Sequence, residues 1–383
     1  MSKKEPVKTP VPTGEYAVGT FTYTVYNDRE ETMYCAPGTM RSIPVRVYYP
    51  VAKKSVEGLP KARYLSKNEM LVIKKNYFVP LNYEKMEQEG KNRSECFENA
   101  PFIPNKRFPL ILFNHGYGSL PDVHSFLLTE LASHGYVIAS VGHPYEGMIT
   151  ELKDGTTYRM AKGIRSKCYS PMIPSILALK KMTKARGTNE ELWARFDAIQ
   201  KKYNRFIIDR IPEWKLDTEA ALRYLKENHT DLIDFESGIG VSGHSMGGLT
   251  GFALCEEEPE TFVCGINIDG ALFGNHGEKT MTVPFLQLNC DPNKTTVTVA
   301  FLINKAVAYH AIVRDMQHVG FTDFKHVIPM KSMVGGLDPN VAHNTVCRIH
   351  LEFFDTYLKK RKEHPSFKNN DVVTFTEYNP VKE

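Results

Sequence analysis

Residues 243–247, Gly-His-Ser-Met-Gly, constrain this chain more than any other segment. They follow a short β-prone run, residues 238–242 (GIGVS), and lead into a small-residue helix start, residues 247–251 (GGLTG). A serine at the tip of a strand-to-helix turn is crowded, so a Cβ on either flanking glycine would collide with adjacent backbone. The turn therefore demands a strand that feeds directly into a covering helix. It also places Ser245 at a helix N-terminus, where free N–H groups favour developing negative charge. The bland alternative is a glycine-rich turn with an incidental serine, and the strand before it and the helix after it argue for the elbow.

The rest of the chain is read around that turn. Residues 19–26 (GTFTYTVY) and 42–49 (SIPVRVYY) alternate like strands and predict an antiparallel opening pair. Residues 50–107 turn polar and irregular and read as a surface insertion, helical near 67–75. At 108–113 (FPLILF) a nearly continuous apolar run suits a strand buried on both faces of a parallel sheet. A strand, loop and helix rhythm follows: helix 123–134, strand 137–141, helical crossover 217–228 and strand 238–242. Further strands are predicted at 263–268, 283–288 and 308–313, with a closing helix at 345–360. The alternation implies a mainly parallel sheet covered on both sides. The interval 145–210 exceeds an ordinary crossover, and its charged helical pattern at 190–204 marks a lid over the site. Residues 1–18 read as a flexible tail, 19–365 as a single domain and 366–383 as a C-terminal tail.

A serine hydroxyl is a weak nucleophile until a base takes its proton, and an acid must hold that base in the right tautomer. With a nucleophile elbow the chain order is Ser, then Asp or Glu, then His, which is the order of the α/β-hydrolase fold. Asp269 follows the apolar run 264–268 at the carboxyl end of a strand, where open α/β sheets bind ligands. It is the favoured acid; Asp291, after the next strand, competes, and the bland reading of Asp269 is a turn-forming residue before Gly270. Of the histidines beyond it, His318 stands a few residues past the strand at 308–313, on a loop able to reach Ser245. His310 falls inside that strand and His350 inside the last helix; His276 and His326 stay open as alternatives, and His318 is favoured. The oxyanion hole needs two backbone donors, one from the residue after the nucleophile and one from an early loop. Those are assigned to the amides of Met246 and of Tyr117, the latter within the run 114–118 (NHGYG) that follows the strand 108–113.

Composition excludes several other classes. The net charge is +4 with Lys and Arg interleaved among Asp and Glu, which fits no nucleic-acid partner. The 7 cysteines show no CxxC pair, and an odd count cannot pair completely, so buried thiols are expected rather than a disulfide framework. No HExxH cluster appears, so neither a metal nor an organic cofactor is expected. The first residues are basic without an apolar run after them, and no stretch is long enough to span a bilayer. The chain as given is expected to be soluble and cytoplasmic; a signal removed before this numbering begins would leave no trace.

Several segments together resemble the platelet-activating factor acetylhydrolases of the plasma and intracellular type II group. They are residues 45–50 (VRVYYP), 108–116 (FPLILFNHG), 131–141 (LASHGYVIASV), 243–248 (GHSMGG), 264–270 (CGINIDG) and 317–324 (QHVGFTDF). The resemblance runs from about residue 41 to 325, and its last two segments support Asp269 and His318. It implies a calcium-independent serine esterase that removes short or oxidised acyl chains from phospholipids, with a small-molecule or lipid ester as its partner and no stable membrane insertion. The chain departs from the group in carrying Met246 where Phe is common and Asn114 where Ser is frequent, and residues 50–107 and 145–210 have no clear match. Such segments line pockets, so fold and triad carry over better than substrate. A polyester, lactone or amide hydrolase on the same scaffold, or a non-catalytic binding relative, remain the rival readings.

Overall fold

The computed structural model describes residues 9–31, 37–77, 79, 81–182, 185–274, 280–293, 304–328 and 330–380. The chain opens with strands β1 (Ala17–Glu30) and β2 (Met40–Val51), paired antiparallel, with Ala17 opposite Val51 and Tyr26 opposite Ser42. Next come β3 (Lys61–Arg63), helices α1 (Lys67–Tyr77) and α2 (Tyr83–Gln88), and β4 (Arg93–Glu98). The repeating part begins with β5 (Phe108–Asn114), α3 (Ser125–Ser133) and β6 (Val137–Val141). A hairpin of β7 (Ile149–Glu151) and β8 (Thr157–Arg159) then leads to α4 (Ile164–Tyr169), α5 (Met172–Met182), α6 (Asn189–Tyr203) and the long α7 (Arg205–Asn228). The chain re-enters the sheet as β9 (Ile233–His244), followed by α8 (Met246–Glu257), β10 (Phe262–Ile268), β11 (Phe285–Cys290) and β12 (Ala308–Val313). Two single turns, α9 (Phe324–Val327) and α10 (Lys331–Val334), precede α11 (Pro339–Tyr357) and the last strand, β13 (Val373–Tyr378).

The strands of the main sheet stand in the order β13, β12, β11, β10, β9, β5, β6, β2, β1, β4, β3. From β12 through β6 every neighbour is parallel, and the two ends turn antiparallel at β13 and β2. This is an α/β-hydrolase fold. The central strands read as unbroken apolar runs because both faces are covered. Leu110 and Leu112 of β5 and Val137 and Ala139 of β6 point to a core shared with Ala221, Leu225 and Phe252 of α7 and α8. Ile111, Phe113 and Ile138, one residue out of step, pack instead against Leu128 and Leu131 of α3 and Phe353 of α11. Each such side chain contributes about 1.5–3 kcal/mol on burial.

Three expected boundaries change. Residues 50–107 are not a surface insertion throughout: β4 runs parallel to β1, placing Val18 opposite Cys96, which is fully buried. The polar sequence there hides the strand because β4 buries alternate residues only. The segment from 366 on is not simply a tail, since β13 pairs with β12 from Ala308–Tyr378 to Val313–Val373. Its Thr-rich sequence is that of an edge strand with one face wet. At the other end the chain is tied down before β1, the Thr13 amide donating to Glu130 Oε2 at 2.9 Å and the Tyr16 amide to the Ser133 carbonyl at 3.0 Å. Residues 145–210, expected as a helical lid, hold the β7–β8 hairpin and α4 to α6. Ile164, Leu179, Met182 and Phe196 from those helices pack with Tyr117, Met246 and Leu249. Thr188 and Glu191 close a reciprocal capping box at the start of α6. Among the described residues no helix is long and apolar enough to cross a membrane.

Candidate active site

Strand β9 ends at His244 and helix α8 begins at Met246, so Ser245 alone makes the turn, with φ 57° and ψ −119°. A positive φ is costly for a residue with a Cβ and persists only where its surroundings impose it. Here the flanking glycines do so. A Cβ on Gly243 would lie 2.3 Å from the Gly247 carbonyl carbon, and one on Gly247 would lie 2.1 Å from the Asn114 carbonyl oxygen. The Ser245 amide donates to the Ile268 carbonyl at 2.7 Å, which fastens the elbow to the end of β10. The next residue, just past the end of that strand, is Asp269.

Asp269 has φ 57° and is buried, and donors surround its carboxylate. Oδ1 accepts from Asn289 Nδ2 at 3.0 Å and from the Cys290 amide at 2.9 Å; Oδ2 accepts from the Cys290 thiol at 3.2 Å. His318 Nδ1 meets Oδ2 at 2.7 Å. Burial pushes the Asp269 pKa up, but the hydrogen bond and charge of His318, with Asn289 and Cys290, outweigh it and hold the carboxyl below its ordinary value. The imidazole therefore pairs with Asp269 and not with Asp291, which lies in a short 3-10 turn after β11. Among the described residues no hydrogen bond joins His318 to the Ser245 hydroxyl, although the two line one cavity. His310 Nε2 donates to Asn289 Oδ1 at 2.9 Å, His350 is engaged by Val346 and Ser242, and His326 packs edge-on to His343. His276 lies outside the described residues.

The loop after β5 closes on the elbow from the other side. A Cβ on Gly116 would come within 3.2 Å of the Ser245 Cβ, so the loop backbone passes close to the candidate nucleophile at that residue. Met246 opens α8, and first-turn amides have no intrahelical acceptor. Tyr117 and Met246, whose amides are the expected oxyanion donors, line the same cavity as Ser245. Backing the loop is a buried polar cluster. Arg41 grips Asp217 through Nε and Nη2, both at 2.7 Å, and Asp217 accepts from His143 Nδ1 at 2.9 Å. Arg210 clamps Glu146 at 2.8 and 2.9 Å, and Trp214 Nε1 adds a third donor at 3.0 Å. The Glu146 carbonyl takes the Gly118 amide at 2.8 Å, and the Trp214 ring stacks on Tyr117 and, at 3.6 Å, on His143. Arg29 and Glu31 join the same cluster through Asp217 and Arg41. Burial would raise the Asp217 carboxyl, but the Arg41 charge outweighs it and holds it well below the carboxylate range. Burial, with His143 nearby, lowers the His115 pKa to about 3. None of these supporting residues was singled out from sequence. The one cue available was Asp217, a charge on the apolar stripe Trp214, Ala221 and Leu225 of α7.

Ser245, Asp269 and His318 open on a cavity of about 480 Å³. Its walls come from the loop at Gly116–Ser119, from α5 and the start of α7, and from Phe273, Val319 and Phe324. The described cysteines are free; Cys96, Cys255, Cys264, Cys290 and Cys347 are buried, and Cys168 is half-buried on the cavity wall. Cys35 lies outside the described residues.

The family model of platelet-activating factor acetylhydrolase, isoform II, matches residues 1–374. The chain belongs to that family. Among its curated relatives, the platelet-activating factor acetylhydrolase of Cavia porcellus is 26% identical over 273 residues, 68% of this chain and 60% of that protein. The protein of the same name from Gallus gallus is 25% identical over 287 residues, covering 69% and 65%. The chain thus spans about 60% of the length of the first of these relatives. Of solved structures, a ferulic acid esterase from Streptomyces cinnamoneus superposes with a TM-score of 0.67 at 20% identity, over 96% of this chain and 98% of that one. That likeness speaks for the fold.

Proposed function

We propose that this member of the acetylhydrolase family is a serine-dependent carboxylic ester hydrolase that works through an acyl-enzyme. Ser245 Oγ attacks the ester carbonyl while His318 takes its proton; the Tyr117 and Met246 amides receive the oxyanion. His318 returns the proton to the departing alcohol, leaving Ser245 acylated. Water, activated by the same imidazole, then releases the acid and restores the hydroxyl. Asp269 keeps the Nδ1 proton in place and balances the imidazolium charge. No step calls for a metal. Short-acyl esters, including short-acyl phospholipids of the platelet-activating factor type, are the substrates this reading expects.

The observation that carries it is the Asp269–His318 contact at 2.7 Å on the same cavity as a serine held at φ 57°. A structural turn needs neither the strained serine nor the buried acid. The test is hydrolysis of p-nitrophenyl esters from acetate to palmitate, and of a phospholipid with a short sn-2 chain, with and without chelator. Ser245→Ala serves as the control. Chelator-insensitive turnover lost in Ser245→Ala supports the reading; a folded wild type that cleaves no ester and resists fluorophosphonate labelling at Ser245 overturns it.

A further inference from the structure

The wall of the cavity carries almost no charge. Among its described lining residues the ionised side chain is Asp269, which already holds His318, Asn289 and the Cys290 amide; no lysine, arginine or glutamate contributes. Met172, Ile176, Leu179, Ile207 and Phe273 make its surface apolar. An ion entering such a space would be stripped of water without a counter-ion, which is strongly unfavourable.

One polar pair interrupts this surface. Ser175 on α5 is 2% exposed and donates its hydroxyl proton to Asn204 Oδ1 at 2.7 Å, and both residues line the cavity. Asn204 is the residue before α7, at the N-cap position, where an asparagine side chain ordinarily accepts from a first-turn amide. Here it makes no capping bond; its backbone is engaged by Gln200 and Ile208, and its side chain is held by Ser175 instead. The Asn204 Nδ2 donor has no acceptor among the described residues. A helix start has thus given up its cap so that an amide can be fixed at the wall of an otherwise greasy cavity. A few fixed polar groups in an apolar pocket are what orient a ligand and select it.

Resting on the esterase reading, we propose that Ser175 and Asn204 are a specificity element. Ser175 locks the amide so that Nδ2 donates to an uncharged oxygen, a carbonyl, ether or hydroxyl, borne by the part of the ester lying under α5. Charged groups of the substrate, a phosphate or carboxylate among them, stay outside the cavity.

The test is equilibrium binding to the Ser245→Ala protein, which retains ligand without turning it over. The probes are p-nitrophenyl hexanoate, its 5-oxo counterpart and the hydrogen glutarate ester, together with a second set carrying the same changes on the alcohol of a hexanoate. In at least one set the oxo ester is expected to bind about tenfold tighter than its methylene match, and the carboxylate more weakly than either. Adding Asn204→Leu should bring the oxo-to-methylene ratio to about one, and Ser175→Ala should lower it without abolishing it. A ratio near one in the Asn204 protein, or a preference that survives Asn204→Leu in a variant with wild-type thermal unfolding, overturns the proposal. Turnover by the Ser245 protein is read separately, so a failure of hydrolysis with the binding preference intact condemns the esterase reading and not this one.

Discussion

His244 Nε2 donates to the main-chain carbonyl of His318 at 3.0 Å, and the two rings lie 4.5 Å apart. The residue before the candidate nucleophile thereby holds the loop of the candidate base. A carbonyl can only accept, so the Nε2 tautomer of His244 is required. Burial, reinforced by His318 and His124, keeps the His244 pKa well below its ordinary value, which leaves the ring neutral. Replacing it with leucine keeps an apolar filling and removes the donor. His244→Leu is expected to lower kcat about tenfold with little change in KM, since a small displacement of a reacting group is enough for such a loss. Steady-state kinetics beside thermal unfolding would show it, and an unchanged kcat would mean that the contact does not position His318.

Against burial, His318 and then Asn289 and the Cys290 amide hold the Asp269 carboxyl below its ordinary value. A carboxyl with a depressed pKa stabilises the fold above its unfolded value, and that contribution is lost as pH falls through the folded one. Asn289→Ala removes one donor and raises the folded value, so acid unfolding should begin at higher pH than in wild type. Asp269→Asn should be far more damaging to turnover, by about 10³–10⁴-fold in kcat, because the wrong imidazole tautomer is then favoured. An Asp291→Ala protein that loses more activity than Asp269→Ala would reassign the acid.

The backbone strain at Ser245 predicts a trade. Ser245→Gly should abolish turnover and raise stability by about 1–3 kcal/mol, because glycine accepts a positive φ without penalty. Gly247→Ala should do the reverse, its new Cβ meeting Asn114 backbone at 2.1 Å, and yield little folded protein. Denaturant titration of Ser245→Gly against wild type decides the first; equal midpoints would mean that the turn stores no strain.

Arg41 is fully buried between Asp217, Glu146 and Glu31. Its truncation to methionine would leave those carboxylates without their shared cation, at a cost of about 3–5 kcal/mol. A fall in the denaturant midpoint of that size is expected, with a loss of turnover because Asp217 and Glu146 anchor His143 and Gly118 behind the loop.

Asp323 gives a second, opposite pH signature. Burial pushes its carboxyl up to about 7, against donors from Ser125, Tyr64 and Phe126 and with Asp122 adding to the rise. The folded state then holds this proton more tightly than the unfolded chain. Stability from this group is full below the ordinary value of 3.8 and is eroded as pH climbs from there through about 7. Asp323→Asn should flatten the stability profile over that window, and an unaltered slope would show that Asp323 is ionised throughout.

What the sequence revealed was whatever leaves a local trace. The elbow was legible because its glycines sit where only glycine fits, and β5, β6, β10 and β12 because strands buried on both faces read as short apolar runs. Asp269 and His318 could be marked as candidates from their distance past such strands. These candidates could be ranked but not paired, since the contact between them spans 49 residues. Strands β4 and β13 escaped because a strand with one wet face looks like a polar loop. The Arg41, Glu146 and Asp217 cluster escaped for a different reason: its members come from β2, from the loop after β6 and from α7, and nothing within any one of those segments announces the others.

Strand β13 has a consequence for how this protein behaves in company. Without it, β12 would present a row of free backbone donors and acceptors along side chains that are nearly all buried, Ala308 to Val313. Such a margin is a template for another chain to add to. The strand that covers it is more polar, Val-Thr-Phe-Thr-Glu-Tyr, and the opposite margin, β3, is three residues long and carries Lys61 and Arg63. Both borders of the sheet are thus made uninviting to neighbours, and a truncation before residue 373 would turn one of them into a seed for self-association.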